Sequence, residues 1–134
     1  MKLSSRRKIE IRSERGQSLT EFALALPILA LLLFAVIQFG ITFNNYVTLV
    51  DATRAGARKG AVGREQQNPA NAVTQEVRAS AKDLKQSDLN VTVTSTWQAS
   101  SDVTVTATYP YSISLLGMVV KRGRLSSSTT ERVE

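Results

Sequence analysis

Residues 16–50 read GQSLTEFALALPILALLLFAVIQFGITFNNYVTLV, and no Asp, Glu, Lys or Arg occurs in the 29 positions from Phe22 to Val50. A single soluble domain scatters its charges, so this gap divides the 134-residue chain into unlike parts. Within it, the 22 residues from Phe22 to Phe43 contain only Gln38 and Thr42 as polar side chains. At ~1.5 Å per residue such a helix is roughly 33 Å long, close to the ~30 Å hydrocarbon core of a bilayer. The apolar core of a cleaved secretory signal is about 7–15 residues and is followed by a small-x-small cleavage site. The longer run here predicts a retained transmembrane helix. Pro27 lies inside it. Without an N–H, and with its ring against the carbonyl of Ala23, it is expected to loosen or kink the first turns, as an ordinary membrane-helix kink or a functional bend.

On the N-terminal side, Lys2, Arg6, Arg7, Lys8, Arg12 and Arg15 face only Glu10 and Glu14, so +4 of the net +6 sits in residues 1–16. A strongly basic chain raises the question of nucleic acid. These charges instead lie directly before an apolar run, where membrane proteins keep cytoplasmic charge. Beyond the span the next basic residues are Arg54, Arg58, Lys59 and Arg64. The imbalance predicts a single pass with the N-terminus in the cytoplasm and the C-terminal part outside it, and no nucleic-acid partner.

The junction between leader and span carries the chemistry. It reads Arg15-Gly16-Gln17-Ser18-Leu19-Thr20-Glu21-Phe22. Gly16 has no side chain, so its backbone can approach a membrane protease closely and be drawn out into an extended conformation. A cut there would leave Gln17 with a new α-amino group at the membrane surface. Glu21, one helical turn on, would place a carboxylate near that amine or near a neighbouring subunit's amine. A carboxylate at the edge of a span is costly unless paired, so it calls for a partner. A plainer reading also fits: Ser18-Leu19-Thr20-Glu21 has the spacing of a capping box, with Ser18 as N-cap. The two readings are compatible.

A basic leader, Gly, four uncharged residues, Glu-aromatic and an apolar helix is the layout of a type IV-type prepilin. With DATRAGARKGA following at residues 51–61, the chain resembles the TadE-like pseudopilins of tight-adherence (Tad) pili. Gly16, Glu21, Phe22, Pro27, Ala52, Arg54, Ala55, Gly56, Ala57 and Arg58 occupy the places of that pattern, and the likeness in detail covers residues 15–61. Gln17 stands where ordinary type IV pilins carry Phe or Met, which sets the chain apart from that branch. The resemblance implies a minor pilin-like subunit of a bacterial inner membrane, cut between Gly16 and Gln17 by a prepilin peptidase that recognises Glu21 and Phe22. It also implies a structural role in pilus assembly, adhesion or secretion. The implied partners are the peptidase, the major pilin and other minor pilins, and an inner-membrane assembly platform, in a hetero-oligomer surrounded by membrane lipid.

After the span, residues 44–61 still read as helix, with Tyr46, Val47, Val50, Arg54 and Ala57 spaced by three and four. The small residues Ala52, Ala55, Gly56, Gly60 and Ala61 permit close packing, and Arg54, Gly56 and Arg58 are candidate subunit contacts. A helix over about 18–60 is expected. Asn68-Pro69 signals a second helix start, and Val73, Val77, Ala81 and Leu84 form one stripe over four to five turns. From Leu89 the period becomes two. Leu89, Val91, Val93 and Trp97, then Val103, Val105, Ala107 and Tyr109, alternate with polar residues, which predicts an antiparallel hairpin turning at 98–102. Pro110 is expected to end the second strand, 113–120 to be a loop packed on the core, and 125–133 to be a third strand or a loose tail. Lys121, Arg122 and Arg124 read as a solvated charge run, or as a contact to acidic lipid or a partner.

The chain contains no His and no Cys, which removes imidazole acid–base chemistry, thiol catalysis, disulfides and His/Cys metal sites. It shows no Gly-rich phosphate loop and no Ser/Lys pair in a catalytic pattern. No cofactor and no enzymatic activity are expected. Trp97 with Tyr109 and Tyr111 could form a ligand platform, but core and edge packing explains them more simply. The expected architecture is α+β: leader 1–16, membrane and emergent helix 17–61 with its span at 22–43, and a small extracytoplasmic domain 62–134. The rival is a signal-anchored exported binding domain that is never cut.

Overall fold

The computed structural model describes residues 10–115 and 117–134. Most of the basic leader therefore lies outside the described residues. The elements are α1 (Glu10–Ala61), α2 (Pro69–Ser80), β1 (Asn90–Ser95), β2 (Asp102–Leu115) and β3 (Met118–Arg132). The chain forms two compact units, one ending at Ile37 and the other running from Gln38 to Glu134.

In the first unit α1 already includes residue 10, so Ser18 is an interior helical residue and the capping box is not formed. The helix needs no cap at Ser18, because its backbone is already helical upstream of that residue. Pro27 is accommodated without a break in α1. Apolar side chains are exposed all round the helix from Leu19 to Ile37, with Phe22 at 63%. A helix apolar on every side is stable only inside protein or lipid. Among the described residues none covers this one, and it is compatible with a single-pass membrane anchor.

The second unit is an α+β fold built on a three-stranded antiparallel sheet ordered β1-β2-β3. β1 pairs with β2 from Asn90↔Thr108 to Ser95↔Val103, and β2 with β3 from Asp102↔Arg132 to Leu115↔Met118. The pleat sends Val103, Val105 and Ala107 into the core, where they meet Leu49, Ala52 and Ala57 of α1 and Val73 and Val77 of α2. The outward positions are hydroxyls, and Thr104 and Thr106 bridge to Thr130 and Ser128 at 2.9 and 3.0 Å.

Thr53 is the buried polar residue of α1. Its hydroxyl donates to the Val50 carbonyl at 2.9 Å and accepts from Thr129 Oγ1 at 3.1 Å. Since its one proton is used on Val50, the 2.9 Å bond to Ser127 Oγ must be donated by Ser127. The helix is thus tied to β3 with no orphaned hydroxyl at this point.

α2 starts as expected. Asn68 Oδ1 accepts from the Asn71 N–H at 3.1 Å, with Pro69 at the first helical position. It ends earlier than the four to five turns expected, at Ser80 after 12 residues. Ala81 and Leu84 remain buried, but on turns. The side chain of Gln86 intervenes, donating from Nε2 to the carbonyls of Ala81 and Leu84 at 2.8 and 3.1 Å. Arg78 adds a bond to the Gln86 carbonyl at 2.9 Å.

The sheet corrects two further expectations. Pro110 does not end β2, which runs on to Leu115. β1 stops at Asn90, opposite Thr108, so Pro110 lies past it, where the flank away from β3 asks for no ladder hydrogen bond. Of 113–120, the described residues are not a loop on the core but the far end of the β2–β3 hairpin, with Met118, Val119 and Val120 exposed. Gly117 turns the chain with φ +83°, a conformation suited to glycine. Residues 125–132 belong to β3 and are not a loose tail, and Val133 just past the strand is held by its N–H to the Ser101 carbonyl at 2.8 Å. Trp97 and Tyr109 pack against the core, as their simpler reading required.

A Cβ on Gly56 would collide with the Val77 side chain, and one on Gly60 would lie 2.9 Å from Val103 Cγ2. Both neighbours are fully buried valines with no flexible end to move aside. Gly56→Ala is therefore expected to destabilise the second unit: overpacking of ~1–3 kcal/mol outweighs the ~1 kcal/mol gained in helix propensity. The expected reading is a melting temperature several degrees lower by near-ultraviolet circular dichroism of the full chain. An unchanged or raised value would show that the helix–helix contact yields freely.

Candidate functional site

The membrane junction is the candidate site, and α1 alone positions it. Gly16 is helical, and the place its Cβ would take has no atom within 4 Å. The Thr20 hydroxyl donates to the Gly16 carbonyl at 2.9 Å. One turn on, Gln17 Nε2 donates to Glu21 Oε1 at 3.1 Å. The structure thus brings Gln17 and Glu21 together on one exposed face, the i, i+4 relation that their spacing implies. Phe22 is exposed beside them, and Pro27 follows in the next turns. A helical Gly16 means that an extended backbone at a cut site requires the helix to open there. Glycine makes that opening easier, since it costs a helix about 1 kcal/mol relative to alanine.

The emergent part of α1 distributes its three candidate contacts unequally. Arg54 is exposed and lies 3.7 Å from Asp51 Oδ1 in a solvent-facing i, i+3 pair. Arg58 is exposed on the rim of an open depression that includes Val62, Ser100 and Glu134. Gly56 does not share this surface. It is buried against Val77 of α2 and Val105 of β2, and the close approach read from its small size is made within the chain.

The β2–β3 hairpin beyond Thr108 has no counterpart in the sequence expectations. Its turn is short and unlike the usual Asn-Gly signal, although Gly117 between two apolar runs marks it. Tyr111 lies over Gly123 directly across the strand pair, so close that a Cβ added to Gly123 would sit only 2.7 Å from the ring. The aromatic ring thereby covers the glycine gap and stiffens the hairpin.

Residues 16–58 match the family model described as TadE-like protein. No curated protein and no solved structure matches the chain. The match begins at Gly16 and ends at Arg58, in agreement with the resemblance carried by residues 15–61. The match suggests a minor pilin-like protein associated with Tad pili.

Proposed function

We propose that this chain is a membrane-anchored minor pilin or pseudopilin acting structurally in the assembly of a Tad-type pilus or a related secretion machine, and that a prepilin peptidase processes it after Gly16. The observation that carries this reading is the Gly16–Phe22 junction directly ahead of an apolar helix left exposed by the described residues, with the family match opening at Gly16 itself. Cleavage leaves the whole apolar helix in the mature chain and creates an α-amino group on Gln17, one turn from the Glu21 carboxylate. The anchor then holds the subunit among other pilins, where amine and carboxylate can pair within or between chains. Phe22 serves recognition by the peptidase, and Glu21 serves pairing in the assembly after the cut. The partners are the peptidase, the major pilin, other minor pilins and the inner-membrane platform.

Two measurements test this together. Intact mass of protein extracted from membranes containing a matching peptidase is expected to show loss of residues 1–16. Reporter fusions are expected to place Met1 in the cytoplasm and Glu134 outside it. A chain of full mass beginning at Met1, with the peptidase present, would replace this reading with that of an uncleaved anchored domain. Protease protection of the C-terminal domain in spheroplasts would reverse the topology.

A further inference from the structure

We propose that the end of the β2–β3 hairpin is a second membrane contact, an apolar tip with a basic collar that docks on an anionic lipid surface. The tip exposes Met118 at 71%, Val119 at 46% and Val120 at 64%. The collar is Lys121, Arg122 and Arg124, all exposed. No Asp or Glu occurs between Asp102 and Glu131, so no acid in this stretch offsets those charges. Apolar residues that enter the acyl boundary and basic residues that meet phosphate headgroups are the pattern of interfacial membrane binding. Tyr111, beside the collar, is the residue type enriched at headgroup level.

The packing of the second unit directs the hairpin. Gly60 lies against Val103, Gly56 against Val105, and Thr53 bonds Ser127, which is paired with Ala107. Advancing along β2 therefore means going back along α1, towards the end of the apolar span. From Ala107 to Leu115 the strand rises roughly 26 Å, whereas Thr53 to Phe43 is about 15 Å of helix. The hairpin has the length to reach the level of Phe43 even if strand and helix cross at up to roughly 50°. Lipid is favoured over a protein occupant because the bilayer is the surface at that level and the collar has its charge complement there.

This inference rests on residues 22–43 lying in a membrane, and the test separates the two. The chain has no native Cys, so single cysteines report one site each. An environment-sensitive dye is attached at Met118→Cys, at Phe34→Cys in the span and at the exposed Glu65→Cys, in full chains reconstituted into phosphatidylcholine bilayers with or without phosphatidylglycerol. In the anionic bilayers the Met118 dye is expected to shift to the blue and be quenched by shallow lipid-bound quenchers, while the Glu65 dye stays solvated. A basic residue near such a surface is worth about fivefold in binding, so Lys121→Gln with Arg122→Gln and Arg124→Gln should reduce docking about 100-fold. Val119→Ser with Val120→Ser should also release the tip without altering charge. A Met118 dye as solvated as that at Glu65, with Phe34 buried, would overturn the hairpin contact and leave the anchor standing. Water at Phe34 would overturn both. Shielding of Met118 that ignores lipid charge and grows with protein density would identify a protein occupant and overturn the lipid assignment.

Discussion

Gly16→Leu is expected to leave the chain inserted, folded and uncut. In α1 the added side chain meets open space, since no atom lies within 4 Å of the Cβ position. Leucine also favours the helix by just under ~1 kcal/mol over glycine. Nothing in the protein's own structure resists the substitution, so any lost processing is assigned to the step at the peptidase. There two effects act in the same direction. The side chain blocks backbone approach at the scissile bond, and the firmer helix opposes its opening. Gly16→Ala supplies the graded comparison: it strengthens the helix by a similar amount but adds only one methyl group, and should slow cutting without abolishing it. The check is the mass of membrane-extracted protein, with the mature species absent for leucine and reduced for alanine. Mature protein from Gly16→Leu at the wild-type level would remove Gly16 from the site.

The parts of the fold legible in the sequence are those fixed by near neighbours. The long apolar helix is readable because charge is missing over the 29 positions from Phe22 to Val50. The start of α2 is readable because Asn68 and Pro69 are capping residues by their own chemistry. The strands at 90–95 and from 102 onward follow from alternation, which the pleat enforces. What the sequence hides depends on distant partners. The end of α2 is set by Gln86, six residues past Ser80, through bonds to carbonyls that a helical stripe does not encode. Pro110 reads as a stop because a proline in a paired strand is costly, but that cost vanishes where β1 has already ended. The same holds for the candidate site. Gln17 and Glu21 lie one turn apart and can be placed from spacing alone. Gly56 announces close packing, yet only the positions of Val77 and Val105 show that the neighbour is the chain itself.

Glu21→Gln is expected to insert and to be cut, and then to fail in assembly. The change alters neither Gly16 nor the apolar run, and its local effect is small. Glu21 is not part of a capping box, because α1 extends well before Ser18. Its observed partner is the exposed Gln17 side chain, a helical i, i+4 contact worth about 0.2–0.5 kcal/mol. Glutamine retains the length and an acceptor oxygen, so even this bond can persist. The loss appears only once the Gln17 amine is created and carried into a setting of low dielectric. Breaking a buried ion pair by removing one partner costs ~3–5 kcal/mol, because the remaining charge stays uncompensated. At ~1.4 kcal/mol per tenfold, that is a fall in partner affinity of a hundredfold or more. Co-purification and cross-linking of wild type and Glu21→Gln at equal membrane levels, with pilus counts, would read it directly. Wild-type recovery of partners and pili would confine Glu21 to its local contact with Gln17. Loss of both, with cleavage intact, would show that the carboxylate acts after the peptidase and between subunits.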